Sequence, residues 1–208
     1  MLKSKARIPR RCVSITFDDG YQSVYTCAFE SLRRYSFPAT IFVTSGICRK
    51  SSNPPDPHRR ETSRLMLSPK EIRELAAHGI TVGAHSVNHY HLTRLPLDEA
   101  RHEIEDSQIQ LQQMIGKPVR HFAYPHGESN AAIRAFTASR FDSAYGIDFR
   151  LATHQDDIYE LPRLDTFYLD DLLRLGGPDE RAARVYVRGR RVLRGLRRTL
   201  MRANDSPY

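Results

Sequence analysis

The sequence predicts an α/β fold built on parallel strands. Three observations carry this. Short apolar runs rich in β-branched residues alternate with amphipathic helical patterns. The helical stretches carry start and stop signals. And 40% of the 208 residues are apolar, enough for the core of one domain. Cys12–Phe17 (CVSITF) reads as a buried strand. Ser23–Tyr35 reads as a helix with Val24, Ala28 and Leu32 on one face. Ala39–Val43 (ATIFV) is the next strand. Ser68-Pro69-Lys70-Glu71 is a capping box with proline at the first helical position, opening a helix that runs to about His78 and stops at Gly79. Ile80–Ala84 is a strand. Asp98–Ile115 is a long helix with Ala100, Ile104, Leu111 and Ile115 at helical spacing, ended by Gly116 and Pro118. Val119–Tyr124 is a strand, Asn130–Ser139 a helix and Asp142–Ile147 a strand. A barrel and an open sheet both fit this alternation. In either, the loops after the strand C-termini build the site.

Two regions fall outside the alternation. Residues 46–65 form a long polar segment with three prolines, the kind of loop that is either functional or disordered. From Arg181 to Arg202 the chain holds nine arginines and no acid. Taking these from the net charge of +8 leaves about −1 for everything else. The body is therefore nearly neutral, which argues against reading the whole protein as a nucleic-acid binder. Val185, Leu193, Leu196 and Leu200 fall near one helical face of this tail. Both a peripheral contact with anionic membrane and a helix docked on the body fit that pattern. The expected division is a catalytic body over residues 1–177 and a basic amphipathic helix or tail over 178–208.

Three cysteines cannot all pair with one another, and their spacing fits no zinc module. Cys12 and Cys27, in apolar contexts, are expected to be buried free thiols, which favours a reducing compartment. The N-terminal stretch is charged and lacks the apolar run of a signal peptide. The expected location is therefore cytoplasmic, with the tail placing the protein peripherally at the inner membrane face.

Three strand ends carry chemistry. Asp18-Asp19-Gly20 closes the first strand. Two adjacent carboxylates repel unless a cation or proton separates them, although Asp-Asp-Gly alone is also a common turn. His85-Ser86-Val87-Asn88-His89 follows the strand ending at Ala84. Histidines at i and i+4 share a face if the segment begins a helical turn, and together with one carboxylate they make three ligands that leave a coordination position open for water. The third is Phe122-Ala123-Tyr124-Pro125-His126-Gly127. Its loop can turn backbone N–H groups toward a developing oxyanion, or be a plain strand-to-helix turn.

ITFDDG, HSVNH and FAYPHG, in this order, resemble the first three motifs of the polysaccharide deacetylase family (carbohydrate esterase family 4, the NodB homology domain). PATIFV and Leu161-Pro162-Arg163 also resemble it, so the likeness covers residues 11–165, about three quarters of the chain. The resemblance implies a distorted (β/α) barrel with fewer than eight regular strands. It implies Asp18 as catalytic base and Asp19, His85 and His89 as ligands of one divalent metal ion, zinc first, with cobalt, nickel or manganese also suited to the donor set. It implies hydrolysis of N-acetyl groups on an amino-sugar glycan or glycolipid, with Tyr124, Pro125 and Gly127 on the substrate side. The alternatives are hydrolysis of another, cyclic, amide on the same fold, and a degenerate glycan-binding protein without catalysis.

The chain also departs from the family. Many members carry an arginine in the third motif that braces the catalytic aspartate; Ala123 stands there. Many carry a later Leu-x-His motif whose histidine protonates the leaving amine. After residue 140 the one histidine is His154, in a polar stretch. His126, at an aromatic position of the third motif, is the alternative acid. Asp18 returning its own proton is another.

Overall fold

The computed structural model describes residues 12–48, 65–166, 185–190 and 192. Five strands, β1 (Ile15–Phe17), β2 (Ala39–Val43), β3 (Thr81–Ala84), β4 (His121–Ala123) and β5 (Ser143–Tyr145), form one sheet in chain order. Every neighbouring pair is parallel. That order decides between the two architectures the alternation allowed. Right-handed crossovers that always advance in one direction put the helices on one face, so the sheet curls into part of a barrel. The register sets Phe17 beside Ile41, Val43 beside Ala84, and Ala123 beside Tyr145. The strand C-termini therefore share one rim.

β2 is buried on both faces, as a barrel strand requires. Ile41 and Val43 join the core under the helices. Phe42, fully buried, points the other way, with its ring centroid 5.1 Å from that of Tyr145. Gly83 makes room for it: a Cβ there would meet the Phe42 ring at 2.5 Å.

The helices begin and end largely where local chemistry dictates. In α3 (Pro69–Ala77) the Ser68 Oγ accepts from the Glu71 N–H while the Glu71 carboxylate accepts from the Ser68 N–H. Gly79, at φ 88°, follows it. α4 (Leu97–Ile115) buries Ala100, Ile104 and Leu111 and stops at Gly116, which is left-handed. α5 (Ala131–Arg140) is capped by the Asn130 side chain.

The structure differs from the sequence expectations in several places. The helix expected over Ser23–Tyr35 opens as a wide π turn (Val24–Ala28) and becomes regular only in α1 (Phe29–Arg34). The wide turn is tied to α3 by Gln22 donating to Glu71 and Tyr25 to Glu74, both at 2.8 Å. A short helix, α2 (Ser45–Cys48), follows β2 where the polar segment was expected to begin. None of the three thiols is in a disulfide, but Cys12 and Cys27 are exposed and it is Cys48 that is buried. Cys12 precedes β1, and Cys27 lies in the π turn, whose buried residue is Val24. In the tail, residues 185–190 are helical, and Val187 is buried while Val185 is exposed. The rest of Arg181–Arg202, and residues 49–64 of the polar segment, lie outside the described residues.

Beyond β5 the chain returns along the sheet edge. Tyr145 bridges Leu161 in parallel fashion, and the Arg163 N–H donates to the Asp148 carbonyl. This edge segment delivers Arg163 to the rim.

Candidate metal centre

β1 ends at Phe17 and the chain turns sharply. Asp19 is left-handed at φ 70° and Gly20 follows at φ 86°. Two successive left-handed residues break the alternation of the strand, so neighbouring carboxylates acquire different partners.

After β3 the HSVNH segment is not a helical turn. It is a loop with two left-handed non-glycine residues, Ser86 (φ 61°) and His89 (φ 60°). Each such residue costs on the order of 1–3 kcal/mol and persists only where its surroundings over-determine it. The surroundings here do so. The His85 N–H donates to the Val43 carbonyl, the Gly46 N–H to the Val87 carbonyl and the His89 N–H to Ser86 Oγ. Gly46 admits this approach, since a Cβ would stand 2.6 Å from the Val87 oxygen.

The loop brings the two imidazoles together. His85 Nε2 and His89 Nε2 are 3.1 Å apart, and they lie 3.3 and 3.2 Å from Asp19 Oδ1. This is the one Asp/His cluster with metal-ligand spacing among the described residues. The fit to an ion is geometric. Ligand atoms about 2.0–2.1 Å from a tetrahedral centre are separated by about 3.3 Å. The donor chemistry agrees. His85 Nδ1 lies 2.8 Å from the Ala123 carbonyl, which can only accept. That contact keeps a proton on Nδ1, so Nε2 is the atom that would turn its lone pair to an ion. Burial raises the Asp19 pKa, but the bonds to His85 and His89 outweigh it and hold the carboxyl well below the usual range.

Asp18 faces a different partner. Arg163 donates from Nη1 to Oδ1 at 2.6 Å and from Nη2 to Oδ2 at 2.7 Å, a two-pronged pair. The guanidinium is itself held. Its Nε donates to the Gly146 carbonyl at 3.0 Å, and it lies over the rings of Phe42 and Tyr145. A cavity of about 360 Å³ opens beside the pair, lined by Thr16, Asp18, Ile147, Arg163, Asp165 and Thr166 among others. Leu161-Pro162-Arg163 is visible in the sequence, but nothing local shows that this arginine pairs with Asp18.

The third motif is more structural than expected. Tyr124 is buried, its hydroxyl donates to the Tyr159 carbonyl, and burial pushes its pKa well above the ordinary value. Pro125 is also buried. These side chains support the loop from the core and do not line the open site. Gly127, at φ 68°, is pressed against Ile147 so closely that a Cβ would stand 2.2 Å from its side chain. The N–H groups of Gly127 and Glu128 donate to the Tyr124 and Pro125 carbonyls.

His126, left-handed at φ 57° and exposed, lies next to the candidate ligand His89. Its Nε2 donates to the His89 carbonyl at 3.3 Å. Its ring stacks on His91, with centroids 3.6 Å apart and planes 7° apart, and meets the His89 ring edge-on. His91 is held in turn by Glu128 at 3.1 Å. Burial, and then the neighbouring His89 and His91, lower the His126 pKa. His154 lies exposed on a surface turn. The role of His91 as the stacking partner was also not legible in the sequence.

A family model described as polysaccharide deacetylase matches residues 5–140. The chain is 27% identical over 165 residues to a putative polysaccharide deacetylase, YxkH, of Bacillus subtilis, covering 79% of this chain and 54% of that protein. It is 28% identical over 174 residues to a poly-beta-1,6-N-acetyl-D-glucosamine N-deacetylase of Staphylococcus epidermidis, covering 78% and 57%. The chain thus spans little more than half the length of these relatives. Among solved structures, the deacetylase PplD of Streptococcus pyogenes, in complex with acetate, superposes with a TM-score of 0.69 at 23% identity, covering 78% of this chain and 68% of that one. IcaB from Ammonifex degensii gives 0.64 at 24% identity, covering 78% and 71%. At these identities the superpositions establish the fold.

Proposed function

Because the chain belongs to the polysaccharide deacetylase family, we propose that it hydrolyses N-acetyl groups from an amino-sugar glycan or glycolipid, releasing acetate. The observation that carries this reading is the convergence of Asp19, His85 and His89 on one point from two separate strand ends. The Staphylococcus epidermidis relative is named for deacetylating a polymer of N-acetylglucosamine, and we take that chemical class as the first substrate to test.

Asp19, His85 and His89 would hold the ion. When bound, a divalent ion at such a site polarises a carbonyl and lowers the pKa of water. Asp18 accepts the proton of the attacking water as general base. A carboxylate has about four lone-pair sites, so the two taken by Arg163 leave others for that proton. Arg163 fixes the plane of the carboxylate, which sets the direction from which the proton is taken. With the N–H groups of Gly127 and Glu128 already bonded within the loop, we assign the N–H of His126 to the developing oxyanion. The leaving amine takes a proton either from His126, whose Nε2 is engaged and whose Nδ1 remains to act, or from Asp18 on its return. Zinc suits the donor set best, and cobalt, nickel or manganese would also be held. The Arg163 brace speaks against a degenerate, non-catalytic protein.

The test combines metal analysis of the purified protein with acetate release from N-acetylglucosamine oligomers. The reading expects one ion per chain, activity lost on chelation, and activity restored by zinc or cobalt. Protein that takes up no metal after incubation with either would overturn it.

A further inference from the structure

Glu103 stands where an acidic residue needs explaining. It lies on α4 in the stripe formed by Ala100, Ile104, Ser107 and Leu111, all buried. Its own exposure is 9%. A carboxylate on the core-facing side of a helix must find donors. Those the structure gives it all come from the loop between the two histidine ligands. Oε2 accepts from the Val87 N–H at 3.0 Å and from the Asn88 N–H at 2.8 Å, and Oε1 accepts from Asn88 Nδ2 at 2.6 Å. Three donors on two consecutive residues converge on one side chain.

We infer that Glu103 is the positioning residue of the metal loop, holding Val87 and Asn88 so that His85 and His89 present their Nε2 atoms to one point. The inference rests on the metal reading above. Ser86 and His89 are both left-handed, so the loop cannot be held by local preference alone. A relaxed loop would return these residues to ordinary backbone and carry the His89 ring away from His85. Glu103 touches neither the ligand atoms nor Asp18 in the contacts described. Its effect is on where the ligands stand. The bond from Ser45 Oγ to Gln110, further along α4, ties the neighbouring α2 segment to the same helix. The metal loop, α2 and α4 thus form one block.

The experiment is calorimetric titration of the metal-free full chain with zinc, alongside its melting temperature without metal. Glu103→Ala should weaken zinc binding by about 10–100-fold, the range typical of lost outer-shell support. Glu103→Gln, which can keep one oxygen between the two backbone N–H groups, should recover most of the affinity. Asn88→Ala, which removes only the side-chain bond, should fall between. A purely structural role predicts something different: Glu103→Ala melts earlier but binds zinc as tightly as the wild type, and that result overturns the inference. If Glu103→Ala does not fold, Glu103→Asp carries the test. It keeps the carboxylate but withdraws it by one methylene, so affinity must fall, and unchanged affinity overturns the inference. Wild-type protein that binds no zinc overturns the metal reading together with this inference. Wild-type protein that binds it while the variants bind equally overturns the inference alone.

Discussion

Arg163 reaches from the segment after β5 to the end of β1 and takes both oxygens of Asp18, at 2.6 and 2.7 Å. β1 and β5 are the two outer strands of the sheet, so this side chain links the edges of the curled sheet through the carboxylate proposed as base. Arg163→Ala should lower acetate release on the order of 10²-fold, the scale of a misplaced reacting group. Metal content should stay at the wild-type level. Arg163→Lys, with a point charge and no fork, should recover only part of the rate. Equal rates in wild type and Arg163→Ala would remove the brace from the mechanism.

Asp18→Asn separates base from ligand. The amide can still receive Arg163 through its oxygen, but it cannot take a proton. Turnover should fall by roughly 10²–10⁴, with one ion per chain retained. Loss of the ion in this variant would instead make Asp18 a ligand.

The acid is decided by comparing His126→Ala with His154→Ala. Through its contacts with His89 and His91, His126 is the candidate beside the ligands. Its replacement should slow acetate release by one to two orders of magnitude, roughly the lower range for a general acid. His154→Ala should leave the rate unchanged. If neither variant slows the reaction more than a few-fold, Asp18 serves both proton transfers.

His121 gives a pH dependence of stability that is separate from catalysis. Burial outweighs the opposing charge of Asp142 and, with Arg120, lowers its pKa below the ordinary 6.5. The folded state therefore holds fewer protons than the unfolded one just below 6.5. The stability at stake is fully present above about pH 6.5 and is lost as pH falls toward the lowered value. Thermal melts across that range should show the wild type losing more stability on acidification than His121→Gln, which retains a polar partner for Ser143. Parallel pH profiles would show that His121 does not contribute.

The basic tail calls for a membrane assay. Each arginine near an anionic surface contributes on the order of 1 kcal/mol, screened by salt. The full chain should sediment with anionic vesicles at low salt and not with neutral ones, and deletion of residues 178–208 should abolish this. A truncated protein that melts earlier, with no vesicle binding by the full chain, would show the tail to be a docked helix.

The sequence by itself determined the strand–helix alternation, the capping box of α3, the glycine stop of α4, and the three candidate ligands Asp19, His85 and His89. All of these are local. A capping box closes within four residues, an apolar stripe repeats within one helix, and ligand types sit at strand ends whose rim follows from parallel order. Only the tertiary structure decided the curl of the sheet, because a barrel and an open sheet share the same local pattern and differ in which strands become neighbours. It also decided what faces Asp18. Arg163 is 145 positions away in the chain, and no local periodicity encodes a partner at that distance. The metal loop makes the same point. The spacing of His85 and His89 suggested a helical turn, yet the two imidazoles meet through left-handed residues held by Glu103, Ser86 and Gly46. Ligand identity is a property of residue type, whereas the path that brings the ligands together is set by what packs around them.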